Sequence, residues 1–109
     1  MTKFSVECVG WKPLHRNTLR GFCDVRLPEL KLCIHDVAVH QHDSGARWAA
    51  LPSKPQIDRE GNAKRGPDGK IAYVPLLELE GRPVRDAFSA AVVRALIAFD
   101  PHALTEPAA

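Results

Sequence analysis

The sequence predicts an α+β fold, a five-stranded antiparallel sheet with one C-terminal helix packed on it. Three observations carry this. Apolar and polar residues alternate through most of the first eighty positions, which is the period of strands. Only residues 83–99 show the three-to-four spacing of a helix, and they come last. Strands and helices do not alternate along the chain, so no crossover connections of a parallel sheet are called for.

The elements follow in order. Residues 4–11 (FSVECVGW) set Phe4, Val6 and Cys8 on one face, and Trp11-Lys12-Pro13 is expected to end this strand, leaving 12–17 as a loop. Residues 18–27 alternate too: Leu19, Cys23, Val25 and Leu27 share a face with Gly21, while Arg20, Asp24 and Arg26 share the other with Phe22. Pro28-Glu29 reverses the chain into a strand over 30–40. Here the apolar parity flips, from Leu30, Leu32 and Ile34 to Val37 and Val39. A strand changes faces only by taking in an extra residue, so a β-bulge is predicted at His35-Asp36.

His42-Asp43-Ser44-Gly45 reads as a turn and 47–51 as a short strand ended by Pro52. Residues 52–70 are poor in apolar side chains and read as one long loop. Residues 71–79 resume a strand, with Pro75 marking a sheet edge or a bulge. Pro83 suits the first turn of a helix whose stripe is Val84, Phe88, Ala91, Val92, Ala95, Leu96 and Phe99, and Asp100-Pro101 stops it. At 109 residues, with 45% apolar and 26% charged content, the chain fits one domain, assigned to 1–100, with 101–109 as a flexible tail.

The run Ile34-His35-Asp36-Val37-Ala38-Val39, followed by Trp48-Ala49-Ala50-Leu51-Pro52-Ser53-Lys54-Pro55, resembles the bacterial stage V sporulation protein G (SpoVG) family. That family carries a V-H-D-I-R-V type strand, a short strand ending A-M-P-S-K and a basic loop with a D-G turn. The counterparts here are IHDVAV, AALPSK and Pro67-Asp68-Gly69, and Pro75 falls within the next strand as it does in the family. Pro55 stands where the family commonly has another basic residue. The resemblance implies a sheet with one helix, a homodimer, and DNA or RNA binding in regulation.

The net charge of +2 is too small to argue for nucleic acid by itself, so the distribution of charge decides. Lys54, Arg59, Lys64, Arg65 and Lys70 lie in the 52–70 segment against Asp58, Glu60 and Asp68. Such cations track phosphates and give a salt-dependent affinity; on a merely solvated loop they serve solubility. Lys12, His15, Arg16 and Arg20 form a second cluster, and the two make a groove if they share a side of the sheet. Lys54 leads because it matches the lysine of the PSK motif. Only Tyr73 and Trp48 stand near the loop as aromatic partners, so base stacking has thin support.

His35 and Asp36 are assigned a structural role, tying down backbone groups at the kink. His40 and His42 have H-x-H spacing, and Cys33, His35 or Asp43 would complete a zinc set; with no second spaced pair, no metal is expected. Cys8, Cys23, Cys33 and Ser53 sit in no nucleophile–base motif, so neither an enzyme nor a cofactor is expected. Three cysteines among apolar neighbours, without CxxC, read as buried reduced thiols. No apolar run follows Lys3, so no signal peptide is read and a cytoplasmic location is expected. A second apolar strip on the helix, Ala90, Val93, Ile97 and Ala98, points to a homodimer. Two alternatives stand beside the regulator: a protein-interaction accessory module without nucleic-acid affinity, and a single-stranded-DNA-binding protein of replication or recombination.

Overall fold

The structure is a computed structural model and describes residues 5–104. Four strands form an antiparallel meander in chain order: β1 (Glu7–Arg16), β2 (Leu19–Leu27), β3 (Leu32–Gln41) and β4 (Arg47–Ala50). The β1–β2 turn is made at Asn17, whose φ of 56° lies in the left-handed region that asparagine tolerates. A single 3₁₀ turn, Pro28–Leu30, joins β2 to β3. The β3–β4 turn places Gly45 at φ 95°, with its amide donating to the His42 carbonyl at 2.9 Å and the His42 amide donating to the Ala46 carbonyl at 2.8 Å. This is the hairpin turn in which a left-handed glycine follows a type I turn.

The bulge lies where the apolar parity flips. Cys23 pairs with Val37 and Val25 with Ile34, so Asp24 alone stands opposite His35 and Asp36. The extra residue lets Ile34, Val37 and Val39 all face one side, where they are buried with Cys23 and Val25 of β2. The helix α1 (Arg82–Phe99) covers that side with Phe88, Val92 and Leu96, spaced four apart and fully or nearly fully buried. Each such side chain contributes about 1.5–3 kcal/mol on burial. The helix crosses the sheet: Ser89 near its middle bonds β4, and Ala95, Ala98 and Phe99 at its end border Val6 and the first residues of β1, Glu7 and Cys8.

Several expectations need correction. The antiparallel α+β class is seen, but the sheet has four strands, not five. The outer edge of β4 is closed by the helix, because the Ala49 amide donates to Ser89 Oγ at 2.8 Å. What 71–79 contributes is a short strand, Tyr73–Pro75, paired elsewhere. The first strand does not stop at Trp11-Lys12-Pro13, which pair with Cys23, Phe22 and Gly21. As the sheet edge, β1 tolerates a residue without an N–H.

The tail is not frayed at its start: Leu104 is only 4% exposed and belongs to the core, and Ala103 packs against it. Val93 and Ile97 of the second helix strip also pack on this cluster, while Ala90 and Ala98 of the same strip are exposed. Of the three thiols only Cys23 is buried, and burial pushes its pKa up to about 12; Cys33 is exposed on the uncovered face. Phe4 and residues 105–109 lie outside the described residues. No described helix is long and apolar enough to cross a membrane.

Candidate nucleic-acid interface

The segment read as a loop is an ordered arm. β5 (Ser53–Pro55) and β6 (Tyr73–Pro75) form a two-stranded ribbon at its base. Two tight turns follow beyond it, each built like the β3–β4 turn. At 58–61 the Gly61 amide donates to the Asp58 carbonyl at 3.1 Å and the Asp58 amide to the Asn62 carbonyl at 2.9 Å. At 66–69 the matching distances are 2.9 Å and 2.8 Å. Gly61 (φ 85°) and Gly69 (φ 81°) take the left-handed position. Asp58 Oδ1 accepts from the Glu60 and Asn62 amides, both at 2.9 Å, and Asp68 Oδ1 from the Lys70 amide at 3.0 Å.

The β5–β6 ribbon and the two turns meet at a closed triangle of backbone bonds. The Gln56 amide donates to the Ala72 carbonyl, the Ala72 amide to the Lys64 carbonyl and the Lys64 amide to the Gln56 carbonyl, at 2.8, 2.9 and 2.8 Å. No residue from 51 to 87 is buried, so the arm is held by its backbone rather than by an apolar core.

Lys54, Arg59, Lys64, Arg65 and Lys70 are all exposed on this arm. Arg65 Nη1 donates to the Gly69 carbonyl at 2.8 Å. None of the five is in an ion pair among the described residues. Two of the nearby carboxylates, Asp58 and Asp68, are occupied by the turn amides.

Strand pairing sets the face of the sheet opposite the helix as a series of rows, because paired residues share a face. One row runs Arg16, Leu19, His40, Trp48; the next runs Lys12, Phe22, Ala38, Ala50; the third holds Gly10, Asp24 and the bulged His35-Asp36. Leu19 was expected on the face of Cys23 and Val25, but a second register shift, between Leu19 and Gly21, turns it to this one. His40 and Trp48 stack with ring centroids 5.2 Å apart and planes 3° from parallel. A groove of about 740 Å³ lies between this face and the base of the arm, bordered by Lys12, Phe22, His40, Ser53, Tyr73 and Leu76.

The acids on this face are engaged. Asp24 Oδ1 accepts from the Asp36 amide at 3.1 Å and lies 3.3 Å from His35 Nδ1. The Asp36 amide above all, helped by His35 and Lys12, holds the Asp24 carboxyl below its usual range against the opposing effect of burial. Lys12 Nζ donates to Asp36 Oδ1 at 3.0 Å, which raises the lysine pKa. Burial, and secondarily the nearby Arg20 guanidinium, lowers the His40 pKa, so its imidazole is neutral at pH 7; Nδ1 lies 3.0 Å from Thr18 Oγ1.

Of the second basic cluster, Lys12 borders the groove with Ser53 at the root of the arm, while the arm cations themselves lie away from it. Arg16 and Arg20 flank the His40 row, and the arm rises at Ser53 beside it. Alternation along β5 puts Ser53 toward the groove and Lys54 on the other ribbon face. Arg59, Lys64, Arg65 and Lys70 lie farther out on the arm. His35 and Asp36 form the bulge and border the groove as well. His42 Nδ1 pairs with Ser44 within its own turn, and no group of three or more potential metal ligands occurs among the described residues.

Two ring-bearing residues of the groove, Phe22 and His40, escaped the sequence reading. Phe22 falls on the polar parity of its strand with Arg20, Asp24 and Arg26; the sequence reading gives it no binding role, although a large aromatic there is the signal. His40 could have been placed opposite Trp48 by counting back from the turn at 42–45. Comparison of the chain with protein-family models, with characterised proteins and with solved structures finds no match.

Proposed function

We propose that this chain is a small SpoVG-like nucleic-acid-binding regulatory protein, not an enzyme, which contacts phosphates through the cations of its 53–75 arm. One observation carries the reading. Five exposed cations sit on an ordered arm without a carboxylate ion partner among the described residues, while Asp58 and Asp68 are bound into turns. A backbone-braced arm offers such charges to a phosphate chain at a smaller ordering cost than a mobile loop would. The resemblance of IHDVAV and AALPSK to the SpoVG pattern supports the same reading, and a homodimer belongs to it.

The test is a binding titration of Lys54→Ala/Arg59→Ala against wild type with DNA and RNA at two salt concentrations. Each lost phosphate contact lowers the slope of log affinity against log salt by about 1. The double variant is therefore expected to bind more weakly, with a slope shallower by about 2; unchanged binding removes the arm as the contact. The second reading, a protein-interaction module, rests on the free edge of β1, where Val9 and Leu14 are 50% and 52% exposed. It requires no nucleic-acid affinity at any salt.

A further inference from the structure

We infer that the groove between the open sheet face and the base of the arm holds the bases of a single-stranded nucleic acid, stacked on Phe22, His40 and Tyr73 and continuing onto Trp48, which stacks on His40 beside the groove, with Arg16 and Arg20 meeting phosphates along its margin. The inference rests on the nucleic-acid reading above and adds to it a base-binding site and a strand preference.

The rings are placed by the sheet for a purpose the core does not explain. All the sheet aromatics among them lie on the parity opposite the helix, and Tyr73 faces them from the arm while 60% exposed. Trp48 is 37% exposed although it stacks on His40. Ala38 and Ala50 lie between the rings and keep the floor of the groove low. Every base has a π-face, so such a floor accepts bases without reading their edges. The bases of a duplex are stacked on one another and cannot meet it.

Charge complementarity selects the occupant. Of the two acids on this face, Asp36 is ion-paired with Lys12 at 3.0 Å, and Asp24 is held by the Asp36 amide with His35 Nδ1 3.3 Å away, so the carboxylate that lines the groove has its own cation. Arg16 stands at the end of the His40–Trp48 row, and Arg20 follows Leu19, the partner of His40, with its Nη1 donating to the Asn17 carbonyl at 2.7 Å. The neutral His40 offers a ring rather than a charge. A polyanion with flat unpaired bases fits an aromatic floor with a cationic margin.

The experiment measures anisotropy of labelled oligothymidine and oligouridine of about 12 nucleotides, a length typical of such sites, and of the duplexes they form with complementary strands. It compares wild type, Trp48→Ala, Tyr73→Ala and Tyr73→Phe, each first shown folded by circular dichroism. Single strands are expected to bind more tightly than duplexes and to quench Trp48 fluorescence. Each alanine variant is expected to lose about tenfold in affinity, with Tyr73→Phe restoring it. If duplexes bind as tightly, or if the alanine variants bind like wild type, the groove is not the base site while the phosphate-contacting arm stands. If neither single strands nor duplexes bind at low salt, both readings fall.

Discussion

Replacing Asp24 by alanine tests whether the β3 bulge is locked by one carboxylate. Asp36, held at φ 60°, pays about 1–2 kcal/mol for a left-handed backbone. What holds it there is the bond from its amide to Asp24 Oδ1 at 3.1 Å. Hydrogen bonds to charged groups contribute about 1.5–3 kcal/mol net. Asp24 is 21% exposed and Asp36 more so, which lets water replace part of the loss and favours the low end of that range. His35, 72% exposed, adds only about 0.5 kcal/mol or less.

The expected cost of Asp24→Ala is therefore about 1.5–2 kcal/mol in urea unfolding followed by circular dichroism, or about 6–15 °C in Tm for a chain of this size. Asp24→Asn keeps an acceptor oxygen without the charge and should lose about half as much. The sign of the pH dependence follows from the lowered Asp24 pKa. The unfolded chain binds the proton more readily, so the stabilisation is full above the ordinary carboxylate pKa and is lost as pH falls through the folded-state value. The gap between wild type and Asp24→Asn should close over that interval. A cost for Asp24→Ala below about 0.5 kcal/mol at neutral pH would refute the lock.

Two further outcomes are expected. Leu104→Ala removes three buried carbons from the core and should cost about 2.5 kcal/mol in the same unfolding assay, whereas a frayed tail would cost almost nothing. Light scattering of the intact chain should give about twice the 12.0 kDa monomer mass if the homodimer belongs to the nucleic-acid reading; a monomer at micromolar concentration removes that part of it.

Local signals in the sequence were legible and distant ones were not. The parity flip at His35-Asp36 located the bulge because a strand has one way to change faces. The 83–99 stripe located the buried residues Phe88, Val92 and Leu96, while Val84 and Phe99 at its two ends remain exposed. The fifth strand failed because sheet membership depends on a partner edge, and the β4 edge was already taken by Ser89, forty residues on. The arm was read as a loop because its order comes from a bond triangle among 56, 64 and 72, which no window of the sequence displays. Yet its D-x-x-G and G-P-D-G turns have the same glycine placement as H-D-S-G at 42–45, which was recognised as a turn.

For the candidate site the difference is sharper, because a charge pattern has no direction until strands are paired. The cations of 52–70 were visible as composition. The aromatic row needed a register, and that register is set by the same bulge that serves the core. With Ile34 buried and no extra residue, Val37 and Val39 would turn to solvent, and Ala38 and His40 would turn inward against Phe88 and Val92. The inserted residue instead keeps the valines under the helix and sends Ala38 and His40 outward, where His40 meets Trp48. The His35-Asp36 step therefore serves core and groove together. A substitution that removed the bulge would be expected to disturb the open face of the groove as well as the face that packs.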